Sequence, residues 1–232
     1  AAALLAAAGV GTVEVRDRRL FGLTDATPAG PVWDGERKRR ETAAREAVRR
    51  AAPATRCVRP ATRPLPDVAL VVPEGHPDPG LARRLTARGV PHLFADVRET
   101  TGLVGPLVLP GRTPCAHCLD LARADRDPAW PRLLAQLAAP GPGRSGGAAQ
   151  ACDTVLATAV AAHAALHLLA HLDGDRPAAV GGVLELTLPY GAVRRRTWDP
   201  HPDCGCGAHA AVGRPAPAPY DRAAPFDSRR PA

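Results

Sequence analysis

Two short cysteine pairs carry the chemistry most easily read from this sequence. Cys115 and Cys118 form C-x-x-C, and Cys204 and Cys206 form C-x-C far downstream. Zinc takes four thiolates in a tetrahedron, and each short pair supplies two corners from one tight turn. Pro114 before the first pair, and Pro202, Gly205 and Gly207 around the second, let the backbone turn that sharply. Four thiolates leave no open position, so the expected role is structural. Two readings compete with zinc: unrelated reduced cysteine pairs, and a redox C-x-x-C. The redox motif wants a helix of the thioredoxin kind after its first cysteine, and none is evident after Cys115.

The other reactive residue types form weaker patterns. Cys152 opens a helix, where a thiolate would be stabilised, but it reads better as a small buried apolar residue. Cys57 has nothing chemical near it in sequence. His163, His167 and His171 are spaced by four and share one helical stripe. H-x-x-x-H can bind a metal, with Asp173 to assist, yet no partner Glu motif accompanies it, and the stripe reads as a polar seam. Trp130, between Pro128 and Pro131, reads as a packing anchor.

Charge and hydropathy narrow the function class. The 232 residues carry 30 Lys and Arg against 23 Asp and Glu, a net charge of +7. The basic residues gather in "GERKRRETAAREAVRR" (35–50) and "VRRRTW" (193–198). The first run is interleaved with Glu36, Glu41 and Glu46, as on a solvated helix face, and neither has an aromatic platform, so no nucleic-acid partner is expected. The longest apolar stretch, Val155 to Ala170, is interrupted by His163 and His167 and falls short of the ~20 residues of a membrane span. Ala1 to Ala8 lacks the charged flank and length of a signal peptide. A soluble cytoplasmic protein is the expectation, and its paired cysteines are then metal ligands rather than disulfides.

These residues must be positioned by a core made mostly of Ala, Val and Leu, since aromatics are only 3% of the chain. Ala1 to Ala8 predicts a helix stopped by Gly9 and Gly11, and Thr12–Val15 a strand. A helix is expected over 36–51. "VALVV" (68–72) is continuously apolar and reads as a buried parallel strand. Asp78 caps a helix that Pro79 opens and Gly89 ends. "VPHLFADV" (90–97) is the next strand, and this βαβαβ order predicts a doubly wound parallel sheet of the Rossmann type. A strand then runs into Cys115, and 119–150 reads as a long crossover excursion. Asp153 to His171 is a helix apolar almost all round, and 183–198 a hairpin turning at Pro189–Tyr190–Gly191. The ordered domain is expected over 1–207, with a disordered tail at 213–232.

Several segments together resemble the ThiF/MoeB-like adenylyltransferases of the ubiquitin-activating-enzyme superfamily. The resemblance rests on "AAAGVGTVEVRD", "GPLVLPGRTPC" and the split Cys pairs. "PCAHCLDLARADRDPAWP" and "HPDCGCGA" are closer still to ThiF-like proteins of thiazole/oxazole-modified peptide biosynthesis. Members use ATP and Mg²⁺ to adenylate the C-terminal carboxylate of a small ubiquitin-like carrier protein, and they commonly form homodimers. The resemblance implies that Asp17 holds the ATP ribose and that Arg39, with Lys38 as alternative, contacts phosphate. It also implies that Glu74 works with magnesium, so that Arg39 and Glu74 are the catalytic candidates. The family's first strand and G-x-G-x-x-G loop would lie upstream of Ala1. Its Asn-x-x-Arg segment is absent between Asp17 and Asp34, which keeps a second reading open: a pseudoenzyme that binds a precursor or leader peptide for a modifying partner. A dehydrogenase on the same topology is disfavoured, because nothing resembles a hydride-transfer site.

Overall fold

Strands of three to eight residues alternate with helices and pair into two separate sheets. The computed structural model describes residues 1–27, 30–59, 65–73, 77–138 and 152–211. The expected 213–232 tail, Glu74 and residues 139–150 of the crossover fall outside them. Helix α1 (Ala2–Ala7) leads into β1 (Thr12–Glu14), and α2 (Arg40–Ala51) into β2 (Arg56–Val58). β1 and β2 pair in parallel, Val13 opposite Cys57. The second sheet holds β3 (Ala69–Val71), β4 (His92–Arg98), β5 (Thr101–Val108), β6 (Gly182–Thr187) and β7 (Ala192–Thr197), in that order.

Only β3 and β4 are parallel in this larger sheet; β4–β5, β5–β6 and β6–β7 are antiparallel. The expectation of a doubly wound parallel sheet is therefore corrected to a mixed one. The reason is chain length. Glu99 and Thr100 alone join β4 to β5, and two residues can make a hairpin but not a crossover. The parallel pair β3–β4 does have its crossover, α3 (Pro79–Ala87), and there the Asp78 carboxylate accepts from the Gly80 and Leu81 amides at 2.8 and 3.1 Å.

Two more elements differ from expectation. α2 begins at Arg40 rather than near Glu36, because the Phe21 amide donates to the Lys38 carbonyl (2.8 Å) and holds 38–39 extended beside 19–21. The 119–150 excursion contains helical chain: α4 (Ala116–Ala124) and α5 (Trp130–Ala138).

Helix α6 (Thr154–Leu172) is long and apolar enough to cross a membrane by composition, but it packs on β4 and β5 as a core helix. Leu156, Val160, Ala164 and Leu168 meet Leu93, Val104, Leu107 and Leu184 in the main core. The crossing is close at Gly102 of β5, where an added Cβ would stand 2.3 Å from the Val160 Cγ2. The opposite face of the sheet packs Phe94, Val108 and Val183 against α3, α4 and three of the cysteines. α1 packs against both α2 and α6, joining the helical layers of the two sheets.

Candidate metal centre and nucleotide end

The two cysteine pairs meet. β5 ends beneath the turn that delivers Cys115 as the N-cap of α4, and Cys118 lies in that helix's first turn. Cys204 and Cys206 come from the loop after β7, with the His201 carbonyl accepting from the Cys204 amide. Cys115 Sγ lies 3.9 Å from that of Cys118 and 3.6 Å from that of Cys204, and Cys118 and Cys206 are 3.6 Å apart. All four sulfurs lie within 4.8 Å of one another, and three of the residues are buried. A tetrahedron with metal–sulfur bonds of about 2.3 Å has edges of about 3.8 Å, so these separations fit zinc. No other metal-binding cluster occurs among the described residues.

Electrostatics argue the same way. Four thiolates this close cannot all be ionised without a cation between them. Cys118 takes the charge: its pKa is pushed down to about 4, chiefly by the Cys115 thiol donating to it, with backbone help from His201. The thiol of Cys115 is correspondingly pushed far up, and burial raises Cys204 to about 11. A divalent metal would remove this conflict by claiming all four sulfurs as thiolates.

The sequence argues against a redox pair on the ground that no helix is evident after Cys115. That reason fails, since α4 starts at the next residue. What separates the site from a redox pair is its second pair of sulfurs. His201 was also missed, although it lies three residues before Cys204. Its Nδ1 accepts from the Asp203 amide (3.1 Å), so Nε2 carries the proton and donates to Asp125 (2.9 Å). This fixes the loop that presents Cys204 to the end of α4.

Asp17 and Arg39 also come together. Residues 17–21 run beside 38–41: the Glu41 amide donates to the Asp17 carbonyl (3.1 Å) and the Arg40 amide to that of Arg19 (2.8 Å). Arg39 N-caps α2 and donates from Nη1 to the Arg18 carbonyl (2.7 Å). Lys38 is spoken for by Asp34 and by Glu46 at 2.8 Å. The Asp17 carboxylate receives both arms of Arg19, at 2.9 and 2.6 Å, with Arg40 at 3.7 Å. Desolvation works to raise its pKa, but the hydrogen bonds and charge of Arg19 hold it below the ordinary value.

The remaining expectations divide. Cys152 is exposed, not buried, because it precedes the α6 cap, whose Asp153 accepts from the Leu156 amide at 2.8 Å. Cys57 lies in β2. The His163 and His167 rings lie on one stripe of α6, tilted 36° to each other with centroids 6.5 Å apart, and gather no carboxylate or thiolate to make a metal site among the described residues.

No family model matches the sequence, and no curated protein does either. Solved structures do match in fold. Escherichia coli MccB with ATP superposes with a TM-score of 0.65 at 14% identity, over 88% of this chain and 61% of that one. MccB with AMPCPP and MccA gives 0.67 at 15%, over 88% and 61%. PaaA gives 0.58 at 14%, over 84% and 67%. This chain spans about three fifths of the MccB length and shares its fold.

Proposed function

We propose that the chain belongs to the ThiF/MoeB-like adenylyltransferases and works in ATP-dependent activation of a peptide or small-protein carboxylate. The observation that carries this reading is the fold shared with MccB, a microcin C7 biosynthetic enzyme held in complex with ATP, with AMPCPP and with MccA. In such a reaction a carboxylate oxygen attacks the α-phosphorus of ATP. The new C–O–P bond replaces the bond to the β-phosphate oxygen, and pyrophosphate leaves with the electron pair.

Asp17 would accept from the ribose hydroxyls once Arg19 gives way, and Arg39 would meet the phosphate charge. Arg39 suits that role better than Lys38, which already neutralises two carboxylates. Glu74 would hold Mg²⁺, which lowers the charge of the phosphates. Zinc on Cys115, Cys118, Cys204 and Cys206 would be structural. β1 pairs only with β2, and β3 only with β4, among the described residues. A further strand between them would join the sheets and lead into α1 through a phosphate-binding loop. The proposed partner is a precursor or leader peptide, or a ubiquitin-like carrier protein, met by a homodimer in the cytoplasm.

ATP–pyrophosphate exchange tests this, with a peptide bearing a free C-terminal carboxylate. Exchange should need the peptide and fall at least about tenfold in Asp17→Asn and Arg39→Ala. No exchange, together with no ATP binding by calorimetry, overturns the catalytic reading. The absence of an Asn-x-x-Arg segment after Asp17 favours a second reading in that case, a pseudoenzyme that binds the peptide without nucleotide.

A further inference from the structure

A cleft built by different elements from those carrying Asp17 and Arg39 is lined by three arginines, two threonines and a tryptophan, set among Pro, Val, Gly and Ala. It has a volume of about 300 Å³. Arg112 enters from the β5–α4 turn, Arg176 from the loop after α6, and Arg195 from β7, while Trp198 forms a wall. Asp199 is the one carboxylate in the lining. Neither Arg112 nor Arg176 has an ion-pair partner among the described residues.

Arg195 is held in place rather than left loose on the surface. Its Nε donates to the Ala178 carbonyl at 2.7 Å and its Nη2 to that of Val180 at 3.3 Å. Gly182 lies beneath it: a Cβ there would come within 3.0 Å of both nitrogens. The Trp198 Nε1 is buried with no acceptor. The positive field reaches α6, where burial first and the Arg112 charge second lower the pKa of His171.

The cleft adjoins an unusual edge. β7 pairs only with β6 among the described residues, all six of its residues are exposed, and three of them are consecutive arginines. Such an edge repels a copy of itself. It also repels the 212–232 segment, which has four Arg against two Asp. A single oxyanion is smaller than this cleft, which three guanidinium groups enter from three elements. An extended acidic chain satisfies both features, pairing its backbone with the free edge and its carboxylates with the arginines.

We propose that this cleft and the β7 edge dock an acidic peptide segment in extended conformation. The inference does not depend on carboxylate activation, and its test needs no nucleotide, so the two fail separately. The probe is a fluorescein-labelled twelve-residue peptide of alternating Glu and Val, followed by anisotropy on the full chain in about 50 mM salt. The Gln–Val counterpart should not bind. The double variant Arg112→Ala/Arg176→Ala should weaken the Glu–Val peptide about tenfold or more, while Arg83→Ala/Arg132→Ala on α3 and α5 should leave it unchanged. Both pairs are exposed, so neither tests folding. Equal loss in the two double variants would make the effect one of net charge and overturn the site. Displacement by inorganic phosphate at micromolar concentration would overturn the peptide as occupant, since a lone oxyanion would then suffice.

Discussion

Asp17 keeps its charge in a partly desolvated place because Arg19 clamps both of its oxygens. Its folded pKa is depressed, so its stabilising effect is present above the unfolded value of about 4 and is lost as pH falls through the folded one. Asp17→Asn should therefore cost on the order of 1 kcal/mol at neutral pH, and the gap to the parent should close in acid. Urea titrations at pH 7 and pH 3 check this; a gap unchanged by pH would refute the charge argument. Asp17 was legible in the sequence as an acid just past a β-branched run. Arg19 was not, because spacing shows neighbours but not which way a guanidinium turns. Gly105 was equally silent. Its φ is +116°, and an added Cβ would stand 2.3 Å from the Gly182 carbonyl oxygen of β6. Gly105→Ala should cost at least about 2 kcal/mol, since both backbone strain and a backbone clash oppose it. A variant as stable as the parent would mean that β5 and β6 can part there freely.

Elements with their own punctuation were readable, and those defined by a partner were not. α3 has Asp, Pro and Gly at its ends, α6 has an Asp cap, and the β6–β7 hairpin has its Pro-Tyr-Gly turn, and all three stand close to where the sequence put them. β2 is three residues, Arg-Cys-Val, with no alternation to announce it, and it exists because β1 offers an edge. α4 was hidden because its first turn is the C-x-x-C itself. Both cysteine pairs were visible, but what they join is a property of elements: Cys115 and Cys204, 89 residues apart, tie the start of α4 to the loop after β7. Zinc release should loosen that junction. We expect one zinc per chain, lost in Cys118→Ala, with Tm lower by on the order of 10 °C. Elemental analysis beside calorimetry decides it. A metal-free chain with the parent's Tm would leave the four sulfurs without a structural role.

At the scale of the whole molecule, acid should act on the core through histidine before it reaches the carboxylates. His92 is fully buried at the start of β4, edge-on to Phe94 with ring centroids 5.4 Å apart. Its Nδ1–H donates to the Val90 carbonyl at 2.9 Å, which leaves Nε2 as the unprotonated nitrogen, buried without a partner. Protonation would place an N–H⁺ in the core with no acceptor. Burial therefore lowers the pKa of His92, against a smaller opposing pull from Val90. It also lowers His167 and His171 on the α6 stripe, with added repulsion from His163 and from Arg112. In each case the folded value lies below the unfolded one of about 6.5, so the unfolded chain binds more protons as pH falls past it. Stability is then full above about pH 7 and declines through 6.5, by at most about 1.4 kcal/mol per histidine per pH unit. Only below the folded values does the decline level off. Unfolding free energies measured by urea between pH 8 and pH 5 should show this fall. His92→Leu, which fills the space without a titrating nitrogen, should remove the His92 share of the fall and leave that of His167 and His171, while His163→Gln, which removes only the lesser cause of the His167 shift, should change it little. A parent curve level from pH 7.5 to 5.5 would show that water or a local opening reaches His92 at little cost, and that β3, β4 and β5 close over it less tightly than their packing implies.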